Sequence, residues 1–189
     1  MNERIVVVDD EPITRMDIRD IVESAGYSVV SEGTDGFEAI DICQKELPDV
    51  AIMDIRMPVL DGLKAGKRII EKNLASAIIY LSAYSDLDDT RAAEKMGAAG
   101  YLVKPISERS LLTTIKIGLA NSKKKQELTQ KIKKLATQLD NRKLIERAKG
   151  ILMEENNLSE NDAYKLLRNL SMSKRKSMDV IAKLIVADD

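Results

Sequence analysis

Four apolar runs in this chain each stop at a residue that can do chemistry. Ile5-Val6-Val7-Val8 leads to Asp9-Asp10, Val50-Ala51-Ile52-Met53 to Asp54, Ala77 through Leu81 to Ser82, and Gly100-Tyr101-Leu102-Val103 to Lys104-Pro105. Short aliphatic and β-branched runs bounded by Gly, Pro or Asp read as buried strands, and Ser28–Val30 adds a fifth. Between them lie helical patterns over Pro12–Ala25, with Pro in the first turn and Gly26 past the end, then Gly36–Glu46, Leu63–Glu71 and Asp86–Met96. This β-α alternation predicts an α/β fold, a parallel sheet covered by helices on both faces. Right-handed crossovers then deliver Asp9, Asp10, Asp54, Ser82 and Lys104 to one sheet edge, where open α/β folds hold their ligands.

Charge divides the chain in two. Residues 1–120 carry 14 Lys and Arg against 21 Asp and Glu, a net of −7, whereas residues 121–189 carry 16 against 10, a net of +6. Two parts with different partners are expected, the basic one facing a polyanion. The 189 residues suffice for one ordinary domain and a small second one, and 44% hydrophobic content supports a packed core. Histidine is absent, so imidazole acid-base catalysis and His-ligated metals are excluded and any phosphohistidine must come from another protein. The single Cys43 fits a reducing compartment as a small buried apolar side chain. With no apolar stretch long enough to span a bilayer and no signal-peptide core, a cytoplasmic location without a membrane partner is expected.

Three acids and a lysine on one edge are suited to a divalent metal and a phosphoryl group. Magnesium takes oxygen ligands and keeps several waters, so Asp10 and Asp54 are expected to bind it directly and Asp9 directly or through water. Asp54 is the best nucleophile, because it ends the central strand and the turn Arg56-Met57-Pro58-Val59-Leu60-Asp61-Gly62 exposes it. Lys104 would neutralise the transferring phosphoryl oxygens and the Ser82 hydroxyl would hydrogen-bond them.

Asp9-Asp10-Glu11-Pro12, Met53-Asp54-Ile55-Arg56-Met57-Pro58 with Asp61-Gly62, Leu81-Ser82-Ala83 and Lys104-Pro105, in this order and spacing, closely resemble the receiver domain of two-component response regulators over about the first 120 residues. The resemblance implies a flavodoxin-like, doubly wound, five-stranded sheet. It also implies that Asp54 accepts phosphate from a sensor histidine kinase, that Mg2+ is held by Asp9, Asp10, Asp54 and the Arg56 carbonyl, that Ser82 and Tyr101 form a switch pair, and that the bond before Pro105 is cis. Two positions that tune dephosphorylation in that family carry the bulky Arg56 and Tyr84 here, which implies a long-lived phosphoryl form. Such a protein catalyses only its own phosphotransfer and dephosphorylation.

The fifth helix opens near Ser107-Glu108 and has no terminator for a long way, Gly118 costing it only about 1 kcal/mol. Leu128, Ile132, Leu135 and Leu139 recur at steps of four, three and four, a short heptad-like seam that reads either as a dimerising stalk or as a linker packed on its own domain. The pattern continues through Leu144, Ile145, Ala148, Ile151 and Leu152 to a stop at Asn156-Asn157. Ser159-Glu160-Asn161-Asp162 resembles a capping box opening a second helix, which Ser171 to Ser173 should break, and Met178, Ile181, Ala182 and Ile185 mark a third. The expected division is residues 1–120, a linker or coiled coil over 121–140, and a small three-helix unit over 141–189.

Lys174-Arg175-Lys176 is expected at the start of that third helix, where phosphate contact would gain from the helix N-terminus. DNA is one candidate polyanion, although the turn from Leu170 to Ser173 lacks the glycine often found in helix-turn-helix motifs. The residues from Ile145 to Met153, with Ser159-Glu160, Ala163-Tyr164, Leu167-Arg168 and Met172-Ser173, resemble the ANTAR domain, an RNA-binding three-helix module of transcription antiterminators, over about residues 125–187. That resemblance implies binding of tandem RNA hairpins with small terminal loops and hence transcription antitermination. Lys149, Arg168, Lys174, Arg175 and Lys176 are the expected phosphate or loop contacts, and Gly150 would permit close backbone approach. Tyr164 is either a base-stacking platform or a core-edge residue, while Met153 and Met172 are expected in the core. Among antiterminators of this architecture the chain is most similar to the ethanolamine-utilisation regulators of Gram-positive bacteria, through Asp9 to Thr14, Leu81 to Asp86 and Gly100 to Pro105. The reading is a phosphorylation-controlled RNA-binding regulator that dimerises on phosphorylation, with a DNA-binding regulator as the alternative.

Overall fold

A computed structural model describes residues 2–83 and 87–188. The chain forms two compact units, Met1–Gln126 and Glu127–Asp189. In the first, five strands, β1 (Arg4–Val8), β2 (Ser28–Gly33), β3 (Val50–Asp54), β4 (Ala77–Ser82) and β5 (Gly100–Val103), alternate with helices α1 (Pro12–Ser24), α2 (Gly36–Glu46), α3 (Gly62–Glu71) and α4 (Leu87–Lys95) before α5 (Glu108–Asn156) begins. All strand pairs are parallel, in the order β2-β1-β3-β4-β5. Tyr84, Ser85 and Asp86, and with them the expected start of the fourth helix, lie outside the described residues.

The period-two side-chain alternation of strands builds two cores. Val6, Val8, Ala51, Met53, Ile78 and Tyr80 face α2 and α3, packing on Ala39, Cys43, Ala65 and Ile69. Their neighbours Ile5, Val7, Val50, Ile52, Ile79 and Leu81 face α1 and α5, packing on Ile18, Val22, Leu111 and Ile115. Strands buried on both faces explain why the runs read as continuous rather than alternating hydrophobicity. Cys43 is a free, buried thiol whose pKa burial pushes up to about 12. Strand β2 runs three residues past its expected end, because Ser31-Glu32-Gly33 sits on an edge strand where polar side chains are tolerated, and Glu32 pairs with Arg15 and Arg19 of α1.

The second unit holds the latter part of α5 with α6 (Glu160–Lys174) and α7 (Met178–Asp188). Ala148, Leu152, Ala163, Leu167, Ile181 and Ala182 form its buried core. Asn157, at φ 50°, follows the end of α5, and Ser159 caps α6 by accepting from Asp162 N–H at 3.3 Å. The expected break at Ser171–Ser173 does not occur. Ser173 Oγ donates to Leu170 O at 3.0 Å, so its hydroxyl is satisfied within the helix, and α6 continues to Lys174 before Arg175 ends it in the left-handed conformation at φ 52°. With the helix prolonged, Met172 points outward at 67% exposure instead of joining the core, whereas Met153 does pack against it. No helix among the described residues is long and apolar enough to cross a membrane.

Tyr80 shows how tightly α3 is fitted to the sheet. Its hydroxyl is buried without a hydrogen-bond partner among the described residues, and a Cβ on Gly66 would come within 1.8 Å of it. Burial raises the phenol pKa, and the charge of Asp61 adds to the rise. Tyr80→Phe should therefore stabilise the protein by about 1 kcal/mol, since it removes an unpaired buried polar group. Gly66→Ala should destabilise it by about 1–3 kcal/mol through overpacking, and by less in the Tyr80→Phe background. Urea denaturation of the three variants measures this, and additivity of the two changes would count against the contact.

Candidate functional site

Strand register assembles the first cluster. Val8 is level with Met53, Asp54 with Leu81, and Ser82 with Val103, so Asp9, Asp54, Ser82 and Lys104 leave adjacent strands at one edge. Lys104 Nζ lies 2.8 Å from Asp54 Oδ2, 2.8 Å from Asp9 Oδ2 and 3.9 Å from Glu11 Oε2. Carboxylate oxygens of Asp9, Asp10 and Asp54 can all lie within 4.8 Å of one another. Asp9 and Asp54 are buried, and Asp10 is exposed to solvent.

The hydrogen bonds leave capacity for a ligand. Asp9 Oδ1 accepts from Glu11 N–H at 3.0 Å, and Asp54 Oδ1 from Arg56 N–H at 3.3 Å. Asp9 Oδ2, although close to the lysine, receives no well-directed hydrogen bond. Burial raises the Asp9 pKa, opposed by the Lys104 ammonium beside it and the Glu11 hydrogen bond and seconded by the charge of Asp54. Burial also works against the charge of Lys104, but the Asp54 hydrogen bond and the adjacent Asp9 carboxylate outweigh it and lift its pKa above the ordinary lysine value. Three carboxylates against one ammonium leave a negative, oxygen-only donor set with an unsatisfied buried oxygen, which fits Mg2+.

The loop after Asp54 is held tightly. Gly62 N–H donates to Ile55 O at 2.9 Å, and a Cβ at Gly62 would sit 2.0 Å from the Asp54 carbonyl oxygen, so only glycine fits. Asp61 caps α3 by accepting from Lys64 N–H at 2.9 Å; burial opposes its ionisation, but the Lys64 hydrogen bonds prevail and lower its pKa. Val59 occupies φ 65°, a strained setting for a β-branched residue, and the turn it centres is closed by Leu60 N–H to Pro58 O at 2.7 Å. The Arg56 guanidinium reaches Asp89 of α4 at 2.8 Å, a link with no signal in the sequence because 33 residues separate the two. Ser82 is buried at the end of β4 and its carbonyl accepts from Lys104 N–H at 2.8 Å. Tyr101 is half-buried beside Tyr80 on β5, and Lys104-Pro105 is cis.

In the second unit the expected contacts separate. The Lys149 side chain is 9% exposed, its ammonium held at 2.8 Å by both Glu146 and Glu160, which raise its pKa in that order. It therefore does not present a free charge. The Glu146 link is a visible three-residue helical spacing, while Glu160 comes from another helix and was not foreseen. Tyr164, 42% exposed and outside the apolar core, is not a core-edge residue, and Arg168 is exposed one turn further along α6. Gly150 has nothing within 4 Å of where a Cβ would stand. The expected setting of Lys174-Arg175-Lys176 is overturned: Lys174 ends α6, Arg175 is its C-cap and Lys176 lies in the turn before α7. A helix C-terminus carries partial negative charge, so no N-terminal dipole assists Lys174 and Arg175. Leu128, Ile132, Leu135 and Leu139 are 50%, 66%, 60% and 60% exposed.

Comparison with known proteins finds a match for each unit of the chain. Residues 5–116 match the response regulator receiver domain and residues 133–186 the ANTAR domain. The chain is 34% identical over 183 residues to the transcriptional regulatory protein PdtaR of Mycobacterium tuberculosis, covering 97% of this chain and 89% of that one. Over 105 residues it is 38% identical to the chemotaxis protein CheY of Thermotoga maritima, covering 56% of this chain and 88% of that one. Among solved structures, the receiver domain of the response regulator NarL of Mycobacterium tuberculosis aligns with a TM-score of 0.58 at 30% identity, over 65% of this chain and 97% of that one. A five-stranded parallel receiver sheet with its acidic edge, followed by three helices that match a second model, leads to one assignment: the chain belongs to the response regulators, with an N-terminal receiver domain and a C-terminal ANTAR domain.

Proposed function

We propose that this protein is a transcription antiterminator switched by phosphorylation of Asp54. The observation that carries the reading is the Lys104 ammonium set between Asp54 and Asp9 at 2.8 Å from each, beside the exposed Asp10. In the transfer, an Asp54 carboxylate oxygen attacks the phosphorus of a phosphohistidine on a sensor kinase, the new P–O bond forms, and the P–N bond breaks to release the imidazole. Asp9, Asp10, Asp54 and the Arg56 carbonyl would hold Mg2+, which when bound supplies charge neutralisation at the phosphoryl oxygens. Lys104 neutralises a further phosphoryl oxygen and the Ser82 hydroxyl donates to another. Drawing Ser82 inward lets Tyr101 turn in and alters the β4–β5 face next to the start of α5. Arg56, anchored to Asp89, shields the bond from water and favours a long-lived phosphoryl form; Tyr84 lies outside the described residues.

The output is RNA binding by the ANTAR unit. Tyr164 offers a ring face for an unpaired base, and Arg168 with Lys174, Arg175 and Lys176 offers phosphate contacts. Dimerisation through Leu128, Ile132, Leu135 and Leu139 sets two such units side by side for tandem hairpins, and the exposure of all four supports it. The likeness to ethanolamine-utilisation regulators supports an operon of that pathway as the target.

Asp54→Asn should abolish Mg2+-dependent labelling by acetyl phosphate with the circular dichroism spectrum intact; labelling at the wild-type level would overturn the acceptor. Lys104→Ala should keep part of the labelling but lose its effect on RNA binding. Arg168→Ala should weaken hairpin binding by about 1.5–3 kcal/mol, as expected for a charge-assisted contact, and flatten the log-log salt dependence by about 0.7. Duplex DNA competing better than hairpin RNA at fixed salt would favour the DNA-binding alternative. Sedimentation should show monomer at micromolar concentration and dimer with beryllofluoride, and Leu135→Lys should prevent that dimer. An unchanged mass would remove the dimerisation switch.

A further inference from the structure

Lys149, Ser159, Glu160, Asn161 and Tyr164 line a depression of about 530 Å³ at the start of α6. Its electrostatics are wrong for phosphate. The one ammonium in it, Lys149, is shared by Glu146 and Glu160 at 2.8 Å each, so two carboxylates face one cation. The Lys149 pKa is raised by Glu146 and Glu160, and the Glu160 pKa is lowered by Lys149, so this pair is held in its charged form, and the second carboxylate beside the ammonium leaves the lining net negative. An incoming phosphate would be repelled.

What the depression does offer is suited to a base. Tyr164 presents an exposed ring, and aromatic faces stack unpaired bases. Glu160 has an exposed side chain and commits Oε1 to Lys149, but an ionised carboxylate accepts up to about four hydrogen bonds. Asn161, its neighbour in the first turn, adds an amide that both donates and accepts. Acceptor-rich surfaces of this kind select bases by their amino groups, as acidic side chains do with cytosine N4.

Resting on the RNA-binding reading above, we propose that this depression seats one unpaired, amino-bearing loop base, stacked on Tyr164 and read at its exocyclic amino group by Glu160. Lys149 is then a positioning residue: it ties α5 to the first turn of α6 and fixes the Glu160 carboxylate beside the ring. Phosphate recognition falls to the basic residues outside the depression, Arg168 foremost.

The charge of Glu160 makes the test one of sign. If Glu160 is only an acid near RNA, Glu160→Gln removes repulsion and tightens binding; if it reads a base, the same change weakens binding. The probe is a hairpin selected by the full-length, beryllofluoride-treated wild-type protein from a pool with a randomised terminal loop. Glu160→Gln should lose about tenfold in affinity, the size of one hydrogen bond to a charged group, with the salt slope and thermal midpoint unchanged. Deleting the exocyclic amino group at one loop position, guanine to hypoxanthine or adenine to purine, should cost wild type a similar factor and cost Glu160→Gln nothing further. Lys149→Met should weaken binding without lowering the salt slope, whereas loss of a direct phosphate contact would lower it by about 0.7. If wild type binds the hairpin and Glu160→Gln binds it equally or more tightly, or no loop position shows the amino effect, the base seat is wrong while RNA binding stands. If wild type retains no hairpin from the pool, both fall together.

Discussion

Everything at the sheet edge depends on the ammonium of Lys104. Two carboxylates, Asp9 and Asp54, are taken out of water at the ends of neighbouring strands, and buried acids are tolerated only when paired or coordinated. The lysine meets both at 2.8 Å and hydrogen-bonds Asp54, but it leaves Asp9 Oδ2 without a well-directed donor. Such an arrangement is a poor device for stability, because desolvation offsets most of the Coulomb attraction. It is well suited to a place where a cation and an anion are to arrive together, with fixed dipoles already aimed at them.

The segment from Ile55 to Gly62 turns that edge into a mouth. Gly62 lets the chain fold back against the Asp54 carbonyl at a distance no other residue could occupy, and Val59 is held in a left-handed turn. Strain of this kind, of order 1–3 kcal/mol, persists only where surrounding contacts enforce it; here the Gly62 and Leu60 hydrogen bonds and the Asp61 cap do so. The Arg56–Asp89 pair joins the same segment to α4. Being exposed, it contributes little energy, and its interest lies in what it joins.

Lys149 repeats the geometry of Lys104 with opposite effect. Both ammoniums sit between two carboxylates at 2.8 Å, but the partners of Lys149 are 56% and 71% exposed, where water screens the interaction. The acids of the receiver remain a charged site awaiting ligands, whereas those around Lys149 cancel the charge that the basic C-terminal third seemed to place there. The positive excess of that unit thus lies on other exposed side chains, among them Lys131, Lys133, Lys134, Arg168 and the turn around Arg175.

The receiver was legible in the sequence because its information is local and periodic. Strand runs, the glycines at helix ends and the acid or lysine after each run predict both the sheet and the shared edge of Asp9, Asp54, Ser82 and Lys104, given only that crossovers are right-handed. The ANTAR unit was legible in outline, since Ser159 and the spacing of Ala163, Leu166, Leu167 and Leu170 mark α6. Its details were not. Ser173, read as part of a helix break, found a backbone partner inside α6, and the prolonged helix moved Met172 outward and set Lys174 and Arg175 at a helix end instead of a helix start. The pairings Lys149–Glu160 and Arg56–Asp89 join residues 11 and 33 positions apart, and no sequence period reports such contacts. Sequence by itself determined which elements form and which side chains they carry, because propensity and burial act over a few residues; only the tertiary structure decided which charges meet, because ion pairing depends on distances set by packing.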